Sequence, residues 1–296
     1  MNKTIQAHLA LFIAQLVYAV SFVIAKDVTK DFIHPFGLVV FRAGGAAILM
    51  WITQRIFIKE KTDKKDILRF LVLAVFGVAI NQTLFLSGLD LTSPISAAIM
   101  MITTPILVLV IAALVIREKI TLLKSIGVLI GFSGAAVLMY TSGMGNGKDD
   151  NPLGDLFVLI NALSWGTYLV LVKPMMKKYH TITILSWVFL FGFFLVLPIG
   201  FHQASEVHWS TFTGDVWFKF FFIIVGTTYL AYILNTYALK ALSPAVVSAY
   251  IYLQPVLTAM IAIGMSRDSL SWAKCGSALL IFAGVYLVSL QKKEGT

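Results

Sequence analysis

The chain has 296 residues, 59% hydrophobic and 12% charged, where a soluble domain carries about 45–50% apolar and about 25% charged residues. That leaves too little charge to cover a water-facing surface, and the apolar residues fall in blocks close to the ~20 that a helix needs to cross a ~30 Å hydrocarbon core. The net charge of +9 lies in short runs between those blocks, where Lys and Arg orient helices against a membrane, so a nucleic-acid partner is not expected.

Ten membrane spans are predicted, near residues 5–25, 36–57, 67–88, 94–116, 122–141, 153–172, 181–201, 216–239, 244–265 and 270–291. The first apolar block lacks a small-residue cleavage site and precedes many more, so it reads as a retained helix and not a signal peptide. The polar stretch 142–152, with Gly143, Gly145, Asn146, Gly147, Lys148, Asp149 and Asp150, reads as a flexible linker between two halves of five spans. The division is then 1–141, linker 142–152, 153–291 and a tail at 292–296. Cys275, the single cysteine, opens the last block and reads as a small buried apolar side chain.

Basic residues set the orientation. Arg55, Lys59, Lys61, Lys64, Lys65 and Arg69, then Arg117, Lys119 and Lys124, then Lys173, Lys177 and Lys178, and finally Lys292 and Lys293 fall on one side. Only Lys26, Lys30, Lys148, Lys219, Arg267 and Lys274 fall on the other. Both termini are therefore expected in the cytoplasm.

The halves overlay at an offset of about 150. Ser93-Pro94 falls on Ser243-Pro244, Pro105 on Pro255, Glu118 on Asp268, Lys124 on Lys274, Phe132 on Phe282 and Gly134 on Gly284; near the start of each half, Tyr18 falls on Trp165 and Lys26 on Lys173. Five spans per half would bring the second copy into the membrane from the opposite side, the inverted architecture of many secondary transporters. The expected fold is an all-α integral membrane protein of ten transmembrane helices in two inverted-topology five-helix repeats.

These features, with the run Tyr18-Ala19-Val20-Ser21-Phe22-Val23-Ile24-Ala25-Lys26 closing the first span and the Ser-Pro…Pro…Glu pattern of the fourth, resemble the EamA-type transporters of the drug/metabolite transporter superfamily. The resemblance covers nearly the whole chain. It implies export or exchange of small organic metabolites through a central cavity lined by spans 1, 3, 4, 6, 8 and 9, with spans 5 and 10 mainly packing the halves together. In one place the halves differ: Arg42 aligns near Val188, so any role of that arginine is not duplicated.

A polar group left unpaired in hydrocarbon costs several kcal/mol, so mid-span polar side chains mark the interior. Asn161, Trp165 and Tyr168 share one helical face, and Gln15 and Tyr18 form the equivalent face of span 1. Span 8 presents Tyr232 and Asn235, span 3 Asn81, Gln82 and Phe85, span 9 Tyr250 and Gln254, and span 4 Met101 and Thr104. Together these predict an aromatic, uncharged substrate cavity; the alternative for any one of them is interhelical hydrogen bonding. Pro105 and Pro255, near the middle of spans 4 and 9, read as paired hinges or as structural kinks. Arg42, about 9 Å deep at ~1.5 Å per residue, either snorkels to the outer interface or anchors a substrate anion together with Lys26. Gly127 and Gly131 read as close helix packing or dimer contacts.

No enzyme constellation is evident within the spans, and His202, Glu206 and His208 in a loop read as solvated side chains. No Gly-rich nucleotide-binding loop accompanies the spans, and no cofactor is expected. The sequence therefore predicts a monomeric or homodimeric secondary transporter, an exporter working by alternating access on a small organic metabolite such as an amino acid or an amphipathic drug-like solute. It would sit in a bacterial cytoplasmic (inner) membrane, with a small-molecule substrate and the lipid bilayer as partners. The alternatives are an exchanger of phosphorylated or carboxylated metabolites and a membrane scaffold.

Overall fold

A computed structural model describes residues 3–92, 97, 100–141, 151–264 and 272–290. The Ser93-Pro94 motif, linker residues 142–150, the Arg267-Asp268 pair and the 292–296 tail lie outside the described residues, as do the side chains of Phe22, Lys26 and Lys274.

Every regular element among the described residues is helical. Hydrocarbon offers no hydrogen bonds, so apolar blocks of this length pair their backbone groups within their own segment. Six helices among the described residues are long and apolar enough to cross a membrane: Lys3–Ser21, Pro35–Ile58, Lys64–Leu91, Pro152–Met175, Thr181–Ser205 and Gly214–Ala238. Thr104–Val115, Leu122–Val137, Pro244–Leu257 and Cys275–Ser289 are shorter apolar helices. Ile48, Leu68, Leu114, Leu122 and Leu279 stand exposed on the outside, while Gln15, Arg42, Asn81, Asn161 and Asn235 are buried. This inverts the pattern of a soluble protein and is the surface of a multi-pass integral membrane protein.

In chain order the helices are α1 (Lys3–Asp31), α2 (Pro35–Thr53), α3 (Ile67–Ala74), α4 (Ile80–Leu91), α5 (Thr104–Val115), α6 (Leu122–Thr141), α7 (Pro152–Met175) and α8 (Thr181–Ser205). There follow α9 (Gly214–Phe221), α10 (Ala231–Ala238), α11 (Pro244–Ala249), α12 (Leu253–Gly264) and α13 (Trp272–Ser289). The main packing pairs are α2 with α8, α4 with α7, α1 with α10, and α6 with α13. Pro35, Pro152 and Pro244 each open a helix, where a missing N–H leaves no bond unmade. On α2 the free N–H groups of Phe36 and Gly37 donate to Gln203 Oε1 of α8, at 2.8 and 3.2 Å.

Beyond the π-helical turn Gln54–Ile58 that ends the second span, two spans carry wide turns in their interior. Val75–Ala79 joins α3 to α4, and Phe222–Leu230 joins α9 to α10, both as π-helix. Hydroxyls take up carbonyls in these turns: Ser164 Oγ donates to Phe76 O (2.7 Å), Tyr232 Oη to Gly77 O (2.9 Å), and Thr228 Oγ1 to Ile223 O five residues back (2.9 Å). Two of the shorter apolar stretches are interrupted beside Pro105 and Pro255. Residues 102–103 break the helix before Pro105 in the first turn of α5, and a tight 3-10 turn, Tyr250–Tyr252, precedes Pro255 on α12. Each proline thus follows an interruption in the helix. Thr103 and Thr104 donate to the Met100 and Met101 carbonyls, both at 2.6 Å.

Helices α6 and α13 meet backbone to backbone. A Cβ on Gly284 would lie 2.5 Å from the Gly131 nitrogen, and one on Gly127 would lie 2.8 Å from the Val288 nitrogen. The Gly127/Gly131 spacing therefore serves packing within the chain. At one end of the bundle, buried Asp66 accepts from Arg69 Nη1 (3.0 Å), Tyr179 Oη (2.8 Å) and Lys178 Nζ, tying the start of α3 to the segment after α7. The hydrogen bond to Asp66 raises the Lys178 pKa above the ordinary lysine range. Next to it, His180 Nδ1 accepts from Ile182 N (3.3 Å) as the cap of α8, and burial lowers its pKa.

Gly284→Ala should lower the thermal midpoint of the detergent-solubilised protein, since overpacking of this kind costs about 1–3 kcal/mol. Gly276→Ala, on the same helix with nothing within 4 Å of the added carbon, should leave the midpoint unchanged or raise it. The lowered pKa of His180 means that its neutral, capping form contributes stability above its ordinary pKa and loses it as pH falls. The midpoint should accordingly drop between pH 7.5 and 5.5 by less in His180→Asn than in the wild type.

Candidate functional site: a central cavity

The interior holds a cavity of about 90 Å³, room for roughly six to nine waters at 10–15 Å³ each. Helices of both halves line it. From α1 come Gln15, Tyr18, Ser21 and Ala25, from α2 Arg42, and from α4 Asn81 and Phe85, while Met101 lies ahead of α5. The other half supplies Asn161 and Trp165 of α7, Ile223 and Thr227 of the second π-helical turn, Tyr232 and Asn235 of α10, Val247 and Ile251 around the tight turn, and Gln254 of α12.

A hydrogen-bonded net fixes much of this wall. Tyr232 Oη, besides its bond to Gly77, lies 3.1 Å from Asn81 Oδ1 and accepts from Gln82 Nε2 at 3.3 Å. Asn161 Nδ2 donates to Asn81 O at 2.7 Å, and Gln254 Nε2 to Gln15 Oε1 at 2.7 Å. Asn235 Nδ2 donates back to Ala231 O (2.9 Å). The Trp165 ring meets Tyr232 edge-on at 5.3 Å, and Phe189 meets Tyr232 in the same way at 4.9 Å, the geometry aromatic quadrupoles favour. One wall is therefore rigid and aromatic, the other an amide pair.

Among the residues singled out from the sequence, Gln15, Tyr18, Asn81, Phe85, Met101, Asn161, Trp165, Tyr232, Asn235 and Gln254 line the cavity, as does Arg42. Four sit behind it. Gln82 braces Tyr232. Tyr168 is fully buried, stacks on Trp165 at 5.2 Å and places its hydroxyl 3.1 Å from Thr236. The Thr104 hydroxyl serves Met101 O, and the Tyr250 hydroxyl lies 2.7 Å from His8 Nδ1. The place of Tyr250 on the cavity face is taken by Ile251, at helical spacing from Val247 and Gln254.

Two charged positions also depart from the simplest membrane expectation. Arg42 does not snorkel: it is 6% exposed, and its Nε donates to Thr228 Oγ1 at 3.0 Å. Lys173 bonds through Nζ to Leu239 O and to Leu242 O (2.7 Å), so it closes the carbonyls at the end of α10, as a basic group does at a helix C-terminus. Sequence reasoning missed Ile223 and Thr227. Both lie in the π-helical turn, where a wider register carries them onto the cavity face shared with Tyr232.

Residues 5–140 and again 152–290 match the EamA-like transporter family, and the chain belongs to that family. It is 22% identical to an uncharacterized transporter of Archaeoglobus fulgidus, over 98% of this chain and 99% of that one. It is 26% identical to the protein WALLS ARE THIN 1 of Arabidopsis thaliana, over 99% of this chain and 84% of the relative. With the uncharacterized transporter YyaM of Bacillus subtilis it shares 24% identity, over 95% and 94%. A solved crystal structure of a protein with 18% identity superposes at a TM-score of 0.76, covering 98% of this chain and 99% of its own, and so has the same fold.

Tyr232→Phe should destabilise the protein by about 1–3 kcal/mol, the cost of stranding buried partners of a lost hydroxyl, here those at Gly77 and Asn81. The check is a thermal melt in detergent, with Tyr237→Phe, whose half-buried hydroxyl bonds Gln6 (3.1 Å), melting close to the wild type.

Proposed function

We propose that the chain is a secondary transporter that exports a small organic metabolite, such as an amino acid or an amphipathic solute, by alternating access at the central cavity. The observation that carries this reading is the cavity itself: amide, hydroxyl and aromatic groups from both halves converge on a space of about 90 Å³ within a lipid-facing bundle. Outward direction is taken from the family resemblance.

The reading includes ten spans in two inverted five-helix repeats, 1–141 and 153–291, joined by the linker at 142–152 and ending in a cytoplasmic tail at 292–296. Four observations support it: the repeated family match, the wide turns in the third and eighth spans, the interruptions before Pro105 and Pro255, and the seam of α6 with α13. The two interruptions flank the cavity and give each half a bending point as the halves rock. The excess of Lys and Arg on one side supports cytoplasmic termini, in a bacterial cytoplasmic membrane. A second reading, an exchanger of anionic metabolites, is favoured by Arg42 in the cavity wall.

Efflux from proteoliposomes tests the carrier. Trp165→Ala should cut flux about tenfold, the equivalent of one lost aromatic contact, while Ile48→Ala on the lipid face leaves it intact. Equal flux in both variants would overturn the cavity as the transport route. A fluorescent tag at Thr296 should report from the cytoplasm; an external signal would overturn the topology.

A further inference from the structure

Arg42 is the one cation in the cavity wall among the described residues, and its surroundings leave half of it unused. Nε is committed to Thr228, and the Thr228 hydroxyl proton is committed to Ile223 O, so a lone pair of that oxygen is locked toward the guanidinium and holds its plane. The Nη groups, with four N–H donors, make no hydrogen bond among the described residues. No carboxylate pairs with Arg42 there either, and none lines the cavity. A buried charge without a counter-ion costs several kcal/mol, so the fold maintains this position against a penalty.

The opposite need appears in another lining residue. Asn161 Nδ2 donates to a backbone carbonyl, which can only accept, so the amide orientation is fixed and Oδ1 is the remaining atom. That Oδ1 is buried with no partner, and so is the Thr227 hydroxyl; both residues line the cavity. Arg42 thus offers two parallel donors and a single positive charge, and Asn161 Oδ1 an unfilled acceptor, in a cavity with aromatic side chains.

Taking the transport reading as its basis, we propose that the substrate is a small organic monocarboxylate bearing a hydrogen-bond donor, its carboxylate held by the Nη edge of Arg42 and its donor by Asn161 Oδ1. The free edge of a guanidinium matches a carboxylate bidentately. One guanidinium neutralises one negative charge, and no second cation lines the cavity among the described residues, which favours a monoanion over a phosphate dianion. A volume of about 90 Å³ suits a compact acid.

The test compares matched solutes on the purified full-length protein by thermal shift and, in proteoliposomes, by flux. The probes are lactate, propionate and lactamide; mandelate, phenylacetate and mandelamide; and inorganic phosphate. The hydroxy acids should raise the midpoint most, the acids lacking the hydroxyl less, and the amides not at all. Arg42→Gln should weaken hydroxy-acid binding about 10–100-fold, as expected for a lost charge-assisted pair, and Arg42→Lys should recover only part of it. Amides that bind like their acids, phosphate that binds as tightly as the acids, or a wild-type protein indifferent to every acid would each overturn the assignment. These comparisons use the wild type and stand even if a variant misfolds. Flux of a neutral solute with indifference to acids would sink the monocarboxylate and leave the carrier; hydroxy-acid binding without flux of any solute would sink the carrier reading and leave the site.

Discussion

Inside hydrocarbon, every backbone N–H and C=O must find its partner within the protein, and the rest of this structure follows from how that demand is met. Most of the chain meets it with uninterrupted helix. Where the helix is interrupted, side chains complete the pairing: Ser164 and Tyr232 at one wide turn, Thr228 at the other, Thr103 and Thr104 before Pro105, and Lys173 at the end of α10. Most of these breaks lie around the cavity. Irregular backbone is tolerated at membrane depth where protein buries it or a polar space receives it, so the flaws in the helices and the position of the cavity are one fact.

The seam between α6 and α13 applies the same economy to packing. Lipid supplies no hydrophobic drive for helices to associate, so close backbone approach must supply dispersion. The contacts observed are Gly134 against Ile281 and Gly284 against Gly131. At an offset of about 150, Gly134 falls on Gly284 and Gly131 on Ile281, so a twofold relation between the halves would interchange these two contacts. Gln82 and Tyr232, also about 150 apart, touch each other in the cavity wall. Pairs of this kind mark where an axis relating the halves would run.

How much of the site was legible in the sequence depended on how regular each helix is. Asn161 and Trp165 lie on α7 at i and i+4, and ordinary helical spacing places both on the cavity. Thr227 and Ile223 were not legible, because a π-helical turn changes the period from 3.6 and no residue in Phe222–Leu230 announces it. Tyr250 was misplaced for another reason: its neighbour Ile251 shares the helical face of Val247 and Gln254, and the Tyr250 hydroxyl meets His8 instead. The ends of spans were harder still. Sequence shows Lys173 only as a basic residue at a span end, not the two carbonyls within its reach.

Repetition also explains why the informative residue is one that is not repeated. Two similar halves can build a cavity, but they would line it alike from either side. Arg42 aligns near Val188, a fully buried apolar residue of α8, so the charge enters from one half only. Closing such a cavity on water alone leaves a guanidinium in a medium that solvates it poorly, whereas closing it on an anion removes the net charge. On the monocarboxylate assignment, the same arginine that selects the cargo also makes the closed state depend on the cargo being there, and the hydroxyl of Thr228, held by a wide turn, sets where that dependence is felt.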